Sequence, residues 1–381
     1  MLFIALRMLF GDPVKLIGLV AGIAFSTLLM AQQGGFFIGL VGRSANGVNA
    51  VADADIWVMD RQTDTAESPV ALRPIDLFRV RSVEGVRFAA PMIQSTVTLR
   101  TADGNSSAAL VYGVDDATLT GVPQKFVQGS PDALRAPDSL AIDMLAFKKL
   151  WPDLAKAPIG QWKLPSLEIN DKRALVVAVT DTLPGFAAPG VLHTRASNAV
   201  NWSPQTRPSY ILVRTDGDAA EVARRIADET GLKALPSAAF AAATFGYVVS
   251  STGIAFSFGV VIALGAVVGI LVSGLTFTLF VNDNIKQFAV LKAVGVTNLR
   301  LVGLVSAQAL MAAFLGFSFG LWSASGFFEG VNRPLADLKG FYLPWQIATT
   351  VGLATVGIVL FATFISLRRV LRLDPATIFR G

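Results

Sequence analysis

The chain of 381 residues contains no cysteine and one histidine, and only 15% of it is charged. Without cysteine there is no disulfide and no thiolate metal site. The lone histidine, His193, stands in a loop-like context and is expected to be an ordinary surface residue. A soluble globular chain is about one quarter charged. At 15% charged and 53% hydrophobic, this chain reads as an integral membrane protein with a sizeable soluble part. No Gly-x-x-x-x-Gly-Lys-Ser/Thr phosphate loop occurs, so the chain does not cradle ATP by that route.

Four apolar runs are present: Val14 to Val41, Val248 to Val281, Leu299 to Phe328 and Trp345 to Leu367. Crossing the hydrocarbon takes about 20 helical residues, and each run is long enough. The second, at ~1.5 Å per residue, makes a helix of roughly 50 Å. Its excess, with Ser237 to Tyr247, is expected to form a stalk rising from the membrane. The first run exceeds the length of a signal-peptide core, and no clean small-x-small cleavage site follows Met30-Ala31-Gln32-Gln33. It is read as an uncleaved anchor. No ionisable residue interrupts the interior of the last three runs, whereas proton- and ion-coupled carriers usually keep such groups within the membrane.

Orientation follows from Lys and Arg in the short connections. Arg7 and Lys15, then Lys286, Lys292 and Arg300, then Arg368, Arg369, Arg372 and Arg380 fall on one side. The connection Glu329 to Tyr342 carries only Arg333 and Lys339, offset by Glu329 and Asp337. Both termini and the 283–298 segment are therefore expected in the cytoplasm, with Arg43–Gly246 outside. The net charge of +5 is a topology signal, with no nucleic-acid patch in it. The expected organisation is 1–42 as the N-terminus and first span, 43–246 as an external domain with its stalk, and 247–381 as three further spans.

The external segment reads as mixed α/β. Ala54 to Met59 is strand-like, and Pro74 to Val83 helical with proline at an early helical position. Val86 to Thr101 and Ser107 to Val114 flank Ala102-Asp103-Gly104-Asn105 as a hairpin. Ser139 to Leu150 is a strand running into a short helix. Leu167 to Val179 turns at Asn170-Asp171. Ser209 to Arg214 is a strand, and 218–230 a helix that Gly231 ends. Gly121 to Pro137 and Pro184 to Pro208, rich in Pro, Gly and Ala, are expected as long loops dividing the domain into two lobes. No catalytic constellation is present. Ser44 lacks a nucleophile-elbow context. The pairs Asp53/Asp55 and Asp115/Asp116 could serve a metal but read as solvated turns. Trp151, Trp162 and Trp202 are expected in a core rather than a ligand groove.

The segment Asp283 to Asn298 carries the most functional information. It is too polar for hydrocarbon and too patterned for a plain connector. Phe288 and Leu291, with Val294 and Gly295, share one side at helical spacing, and Lys286 and Lys292 supply charge. A short amphipathic helix between two spans is a surface on which a soluble partner can act. Gly265-x-x-x-Gly269 and Gly316-x-x-x-Gly320 are spacings that permit close helix contact, with self-association as one use of that face.

These features together resemble the permeases of the MacB/FtsX superfamily of ABC transporters. In that family the loop after the second span typically reads acidic-x-Ala/Ile-x-Leu-Lys/Arg-Ala-hydrophobic-Gly. Here it is Gln287-Phe288-Ala289-Val290-Leu291-Lys292-Ala293-Val294-Gly295, with Gln287 in place of the usual acid. Arg368 to Ala376 resembles the family's closing motif. Ala5-Leu6-Arg7-Met8-Leu9-Phe10 and Ala52 to Met59 are similar to the DevC branch. The resemblance is loose from Gly121 to Pro208. It implies four transmembrane helices with a mixed α/β extracytoplasmic domain between the first and second. It also implies no enzyme activity or cofactor in this chain, ATP and Mg being held by a separate ABC ATPase subunit. That ATPase would dock on Gln287, Phe288, Leu291, Lys292, Ala293 and Gly295, where small Ala293 and Gly295 would permit close approach. Two permease copies would pair in the inner membrane of a Gram-negative bacterium, with a periplasmic membrane-fusion adaptor and an outer-membrane channel. The family transmits ATPase motion to external domains, and DevC-like members export lipids or other amphiphiles. FtsX-like relays that activate cell-wall hydrolases and lipoprotein-releasing permeases are the alternatives within the resemblance. A membrane-anchored sensor without an ATPase is the alternative outside it.

Overall fold

The computed structural model describes residues 7, 9–51, 53–186, 190–332 and 341–371. Residues 5–6 and 8, Ala52, the charged residues of the short connection (Arg333, Asp337 and Lys339) and the motif from Arg372 onward lie outside the described residues. Among these residues the chain divides into two units, the first 7–38, 254–332 and 341–371 and the second 39–253.

Among the described residues the first unit holds four helices long and apolar enough to cross a membrane. They are α1 (Pro13–Arg43), α8 (Ile254–Asp283), α10 (Asn298–Asn332) and α11 (Trp345–Leu371). With no water in hydrocarbon, helices satisfy their own backbone groups, and side-chain hydroxyls join them to one another. The Ser26 hydroxyl donates to the Gly265 carbonyl at 2.8 Å. The Thr27 and Thr355 hydroxyls meet at 3.2 Å, and those of Thr278 and Ser366 at 3.0 Å. At one end of the bundle Phe36 is ringed by Phe327, Phe328 and Phe341, with ring centres 5.4 to 5.8 Å apart.

The second unit is α/β. Strands β1 (Ile56–Met59), β2 (Val86–Arg100), β9 (Tyr210–Thr215) and β10 (Lys233–Pro236) form an antiparallel sheet in the order β10-β1-β9-β2. Helix α3 (Pro74–Arg81) connects β1 to β2, and α6 (Ala219–Thr230) connects β9 to β10. This is a βαββαβ unit with strand order 4-1-3-2, the ferredoxin-like arrangement. Its first strand is buried at all four positions. Trp57 stands edge-on to Tyr210 and also contacts Phe240 on α7 (Ser237–Ser251). Val80, Val222 and Ile226 from the two connecting helices fill the opposite face with Ile56, Val58 and Ile211.

Between β2 and β9 the chain inserts a second lobe. Here β2 pairs with β3 (Ser106–Val114), β3 with β8 (Val191–Arg195), and β8 with β5 (Ser139–Asp143). Next β5 pairs with β7 (Lys172–Thr180), β7 with β6 (Ser166–Ile169), and β6 returns to β2. The pairings close a ring of six strands, and closure leaves no unpaired edge among them. Val97, Val111, Ile142, Ile169 and Leu192 belong to one buried cluster with Trp151, Trp162 and Trp202, so the three tryptophans are core residues as expected. Two lobes are present, but not because loops separate them. The stretch 121–137 carries β4 (Phe126–Gln128) and a 3-10 turn. The stretch 184–208 carries β8 and α5 (Ala196–Trp202).

Two expectations are corrected. His193 is not on the surface. It lies on β8 only 2% exposed, its ring stacked on Tyr112 at 5.4 Å, because register places the two on adjacent strands facing the same way. The second apolar run is not one rod from stalk to membrane. Helix α7 ends at Ser251, Gly253 adopts φ +71°, and α8 begins at Ile254. A left-handed residue cannot continue a right-handed helix, and glycine takes that conformation without steric cost. The paired acids hold the backbone as hydrogen-bond acceptors, Asp115 in its own turn and Asp55 and Asp116 across to distant segments. Asp55 accepts from the Thr215 amide, Asp115 from the Thr118 amide and Asp116 from the Ser197 amide.

Candidate functional site

The segment after α8 folds as α9 (Ile285–Ala293), a separate short helix before α10. The Asn284 side chain donates to the Phe280 carbonyl at 2.8 Å, which closes the end of α8. At the far end, the Val296 amide donates to the Leu291 carbonyl and the Gly295 amide to the Lys292 carbonyl, both at 3.0 Å. With Gly295 at φ +94°, this is a Schellman stop, and Val296 and Leu291 pack into the same apolar cluster, the contact that usually accompanies it. A Cβ on Gly295 would meet nothing within 4 Å. The glycine is therefore required by backbone conformation.

The helix has two faces. Phe288 is fully buried and joins Val281, Leu301, Leu304, Val305 and Leu367, so it seats α9 on the ends of the spanning helices. This corrects its assignment to the docking surface, since a residue with no exposed area offers nothing to a partner. Ala289 is buried beside it, and Leu291 and Lys292 are half-buried. Lys286, Gln287 and Ala293 are exposed. The outward face carries Val294, 79% exposed, and adds two residues that spacing alone did not single out: Val290, 48% exposed, and Leu299 at the start of α10, 81%. Gln287, Val290 and Val294 lie three and four apart and so share one side of the helix. The signal that finds them is the turn offset of these valines from Phe288 and Ala289. The root of the segment is tied to the first span, since the Lys15 ammonium pairs with Asp283, the last residue of α8, and with Asp12.

All four glycines at helix-packing spacing face α1 within the same chain. A Cβ on Gly265 would lie 3.4 Å from Leu29 and Met30, and one on Gly269 2.5 Å from the Ser26 hydroxyl. One on Gly316 would lie 2.6 Å from Ile23, and one on Gly320 2.5 Å from the Ala24 carbonyl. The first span is thus seated in two glycine grooves, one on α8 and one on α10. Both grooves are filled from within the chain, which corrects their reading as a self-association face.

The architecture is that of a multi-pass membrane protein with a large α/β domain between its first two spans and a short amphipathic helix between its second and third. Residues 256–375 match the family described as FtsX-like permease C-terminal. That match covers under one third of the chain, which over these residues is similar to FtsX-like permeases. No curated protein sequence matches it. Similar solved structures include the extracellular domain of the noncanonic ABC-type transporter YknZ from Gram-positive bacteria, at 15% identity, 48% of this chain, 98% of that chain and TM-score 0.34. The periplasmic region of MacB from Actinobacillus actinomycetemcomitans is similar at 14% identity, 50% of this chain, 92% of that chain and TM-score 0.36. A domain of a putative permease protein from Porphyromonas gingivalis is similar at 13% identity, 48% of this chain, 89% of that chain and TM-score 0.28.

Proposed function

We propose that this chain is the membrane subunit of an ATP-driven exporter. A separate ABC ATPase docks on α9, and its motion is transmitted to the external domain to expel a lipid or other amphiphile. The observation that carries the reading is the division of α9. Its inner face is locked into the bundle through Phe288, and its outer face leaves Val290 and Val294 in water beside Lys286 and Gln287. Exposed branched residues on a polar connection have no use within the chain, and a hydrophobic groove in a partner would cover them. Gln287 keeps the helix propensity of glutamate but not its charge, so apolar contact carries more of the docking here. As in the DevC branch, two copies would pair and work with a periplasmic adaptor and an outer-membrane channel, with both termini and α9 in the cytoplasm.

The test is a mild-detergent pull-down of the tagged chain with mass spectrometry of its partners, repeated with Val294→Asp and Ala293→Asp. The parent retains an ABC ATPase and an adaptor. Both variants, altered only at exposed positions, reach the membrane folded and lose the ATPase. Full ATPase retention by both variants would refute docking on this face. Recovery of a cell-wall hydrolase in place of the adaptor would replace export by a relay.

A further inference from the structure

A cavity of about 310 Å³ lies in the second unit, lined among others by Asp64, Thr65, Glu67, Phe186, Tyr247 and Val248. In sequence its lining begins at Ser44, the residue after α1, and ends at Thr252, two residues before α8. Its walls are held in place. The Tyr210 hydroxyl donates to the Ala66 carbonyl at 3.0 Å, the Ala66 amide to the Thr244 hydroxyl at 3.2 Å, and the Val70 amide to the Thr63 hydroxyl at 3.1 Å. The 63–70 loop is thereby fixed to β9 and to α7, one turn before Tyr247. Glu67 accepts from the Phe186 amide, and its carboxylate lies against Gly185. Phe186 and Tyr247 then remain 42% and 36% exposed.

The lining is chemically one-sided. It carries two carboxylates, two aromatic rings and a valine, and no lysine, arginine or histidine. A hydrated metal ion would have no use for the rings, and no group of three metal-ligating side chains occurs among the described residues. An anion would meet two carboxylates in the lining. A cation that also carries apolar surface satisfies every wall, because carboxylates attract its charge and aromatic faces bind both charge and hydrocarbon. We infer that this cavity binds an organic ammonium ion carried on an apolar body. As cargo recognition this rests on the export reading above, and it narrows the amphiphile to a cationic or amine-bearing one. The ammonium has two sources, a free cationic amphiphile or the headgroup of an amine-bearing phospholipid.

The cysteine-free chain supplies the test. Ser68→Cys places the only thiol at the cavity wall, and Ser106→Cys places one on β3 as a control. The full chain is held in phosphatidylglycerol nanodiscs and labelled with an uncharged maleimide. Phenylpropylammonium and the similarly shaped anion phenylbutyrate are the probes. The expected result is saturable slowing by the cation at Ser68→Cys alone. Adding Tyr247→Ala shifts the half-protecting concentration up roughly fivefold, and adding Asp64→Asn shifts it up roughly tenfold. Nanodiscs containing phosphatidylethanolamine that protect without any probe assign the site to a lipid headgroup, and those that do not assign it to a free amphiphile. Equal protection by phenylbutyrate, or none by either ion, overturns the site. Protection that persists where the pull-down finds no ATPase leaves the site standing and removes only its role in export.

Discussion

Replacing Gly320 by alanine adds one methyl group where α1 and α10 touch. The added carbon would lie 2.5 Å from the Ala24 carbonyl and 2.6 Å from Thr27 Cβ, both on the backbone side of α1. Carbon contacts settle near 3.5–4.0 Å, so the two helices must part by roughly 1 Å. Overpacking of this kind costs about 1–3 kcal/mol. The shift also pulls on the Thr27–Thr355 hydroxyl pair, now at 3.2 Å, and an interhelical bond in a membrane is worth about 0.6 kcal/mol. Alanine returns up to ~1 kcal/mol of helix propensity. Gly326 lies on the same helix with nothing within 4 Å of its Cβ position, so Gly326→Ala receives the same return without the clash. The two variants should therefore differ by about 2–3 kcal/mol, with Gly320→Ala the weaker. The assay is an SDS titration of the detergent-solubilised chain followed by tryptophan fluorescence, with cross-linked dimer measured in parallel. Equal midpoints for the two variants would refute the packing argument. A Gly320→Ala effect confined to the dimer yield would show that the groove receives a second copy and not α1.

Two further outcomes follow from buried groups. Phe288→Ala removes the side chain that seats α9, at a cost of about 3–5 kcal/mol, and hydrogen exchange over 285–296 should accelerate while Val290→Ala leaves it unchanged; similar protection in both variants would place the anchor elsewhere. Burial pushes the His193 imidazole down to about 3 from its ordinary 6.5, so its stabilisation is complete above pH 6.5 and is lost as pH falls toward 3. Burial pushes the Asp143 carboxyl up to about 6 although it accepts three backbone N–H bonds, so its protonation acts in the opposite sense below that pH. Native-state hydrogen exchange of β5 and β8 should therefore show His193→Phe gaining on the parent by up to ~1.4 kcal/mol per pH unit below pH 6.5, and a pH-independent gap between the two would contradict burial of a neutral imidazole.

The sequence by itself determined the features that depend on composition and short-range pattern. Four apolar runs had to become spanning helices, because nothing else of that length satisfies its backbone in hydrocarbon. The turns at Gly104, Asn170-Asp171 and Gly231 were legible because left-handed backbone selects those residues. The amphipathic 285–293 helix was legible from its spacing, although which residues face inward was not. Phe288 was placed outside and Val290 overlooked because a period reveals a face but not its direction. Only tertiary structure decided that direction, since α8, α10 and α11 converge beneath one side of α9. It likewise decided that both glycine grooves receive α1, which depends on helices more than 200 residues apart in the chain, as the Ser26–Gly265 bond shows. The burial of His193 belongs to the same class. An imidazole with loop-like neighbours in sequence becomes a core group when strands from distant segments pair on both sides of it, and no local pattern encodes which strands those are.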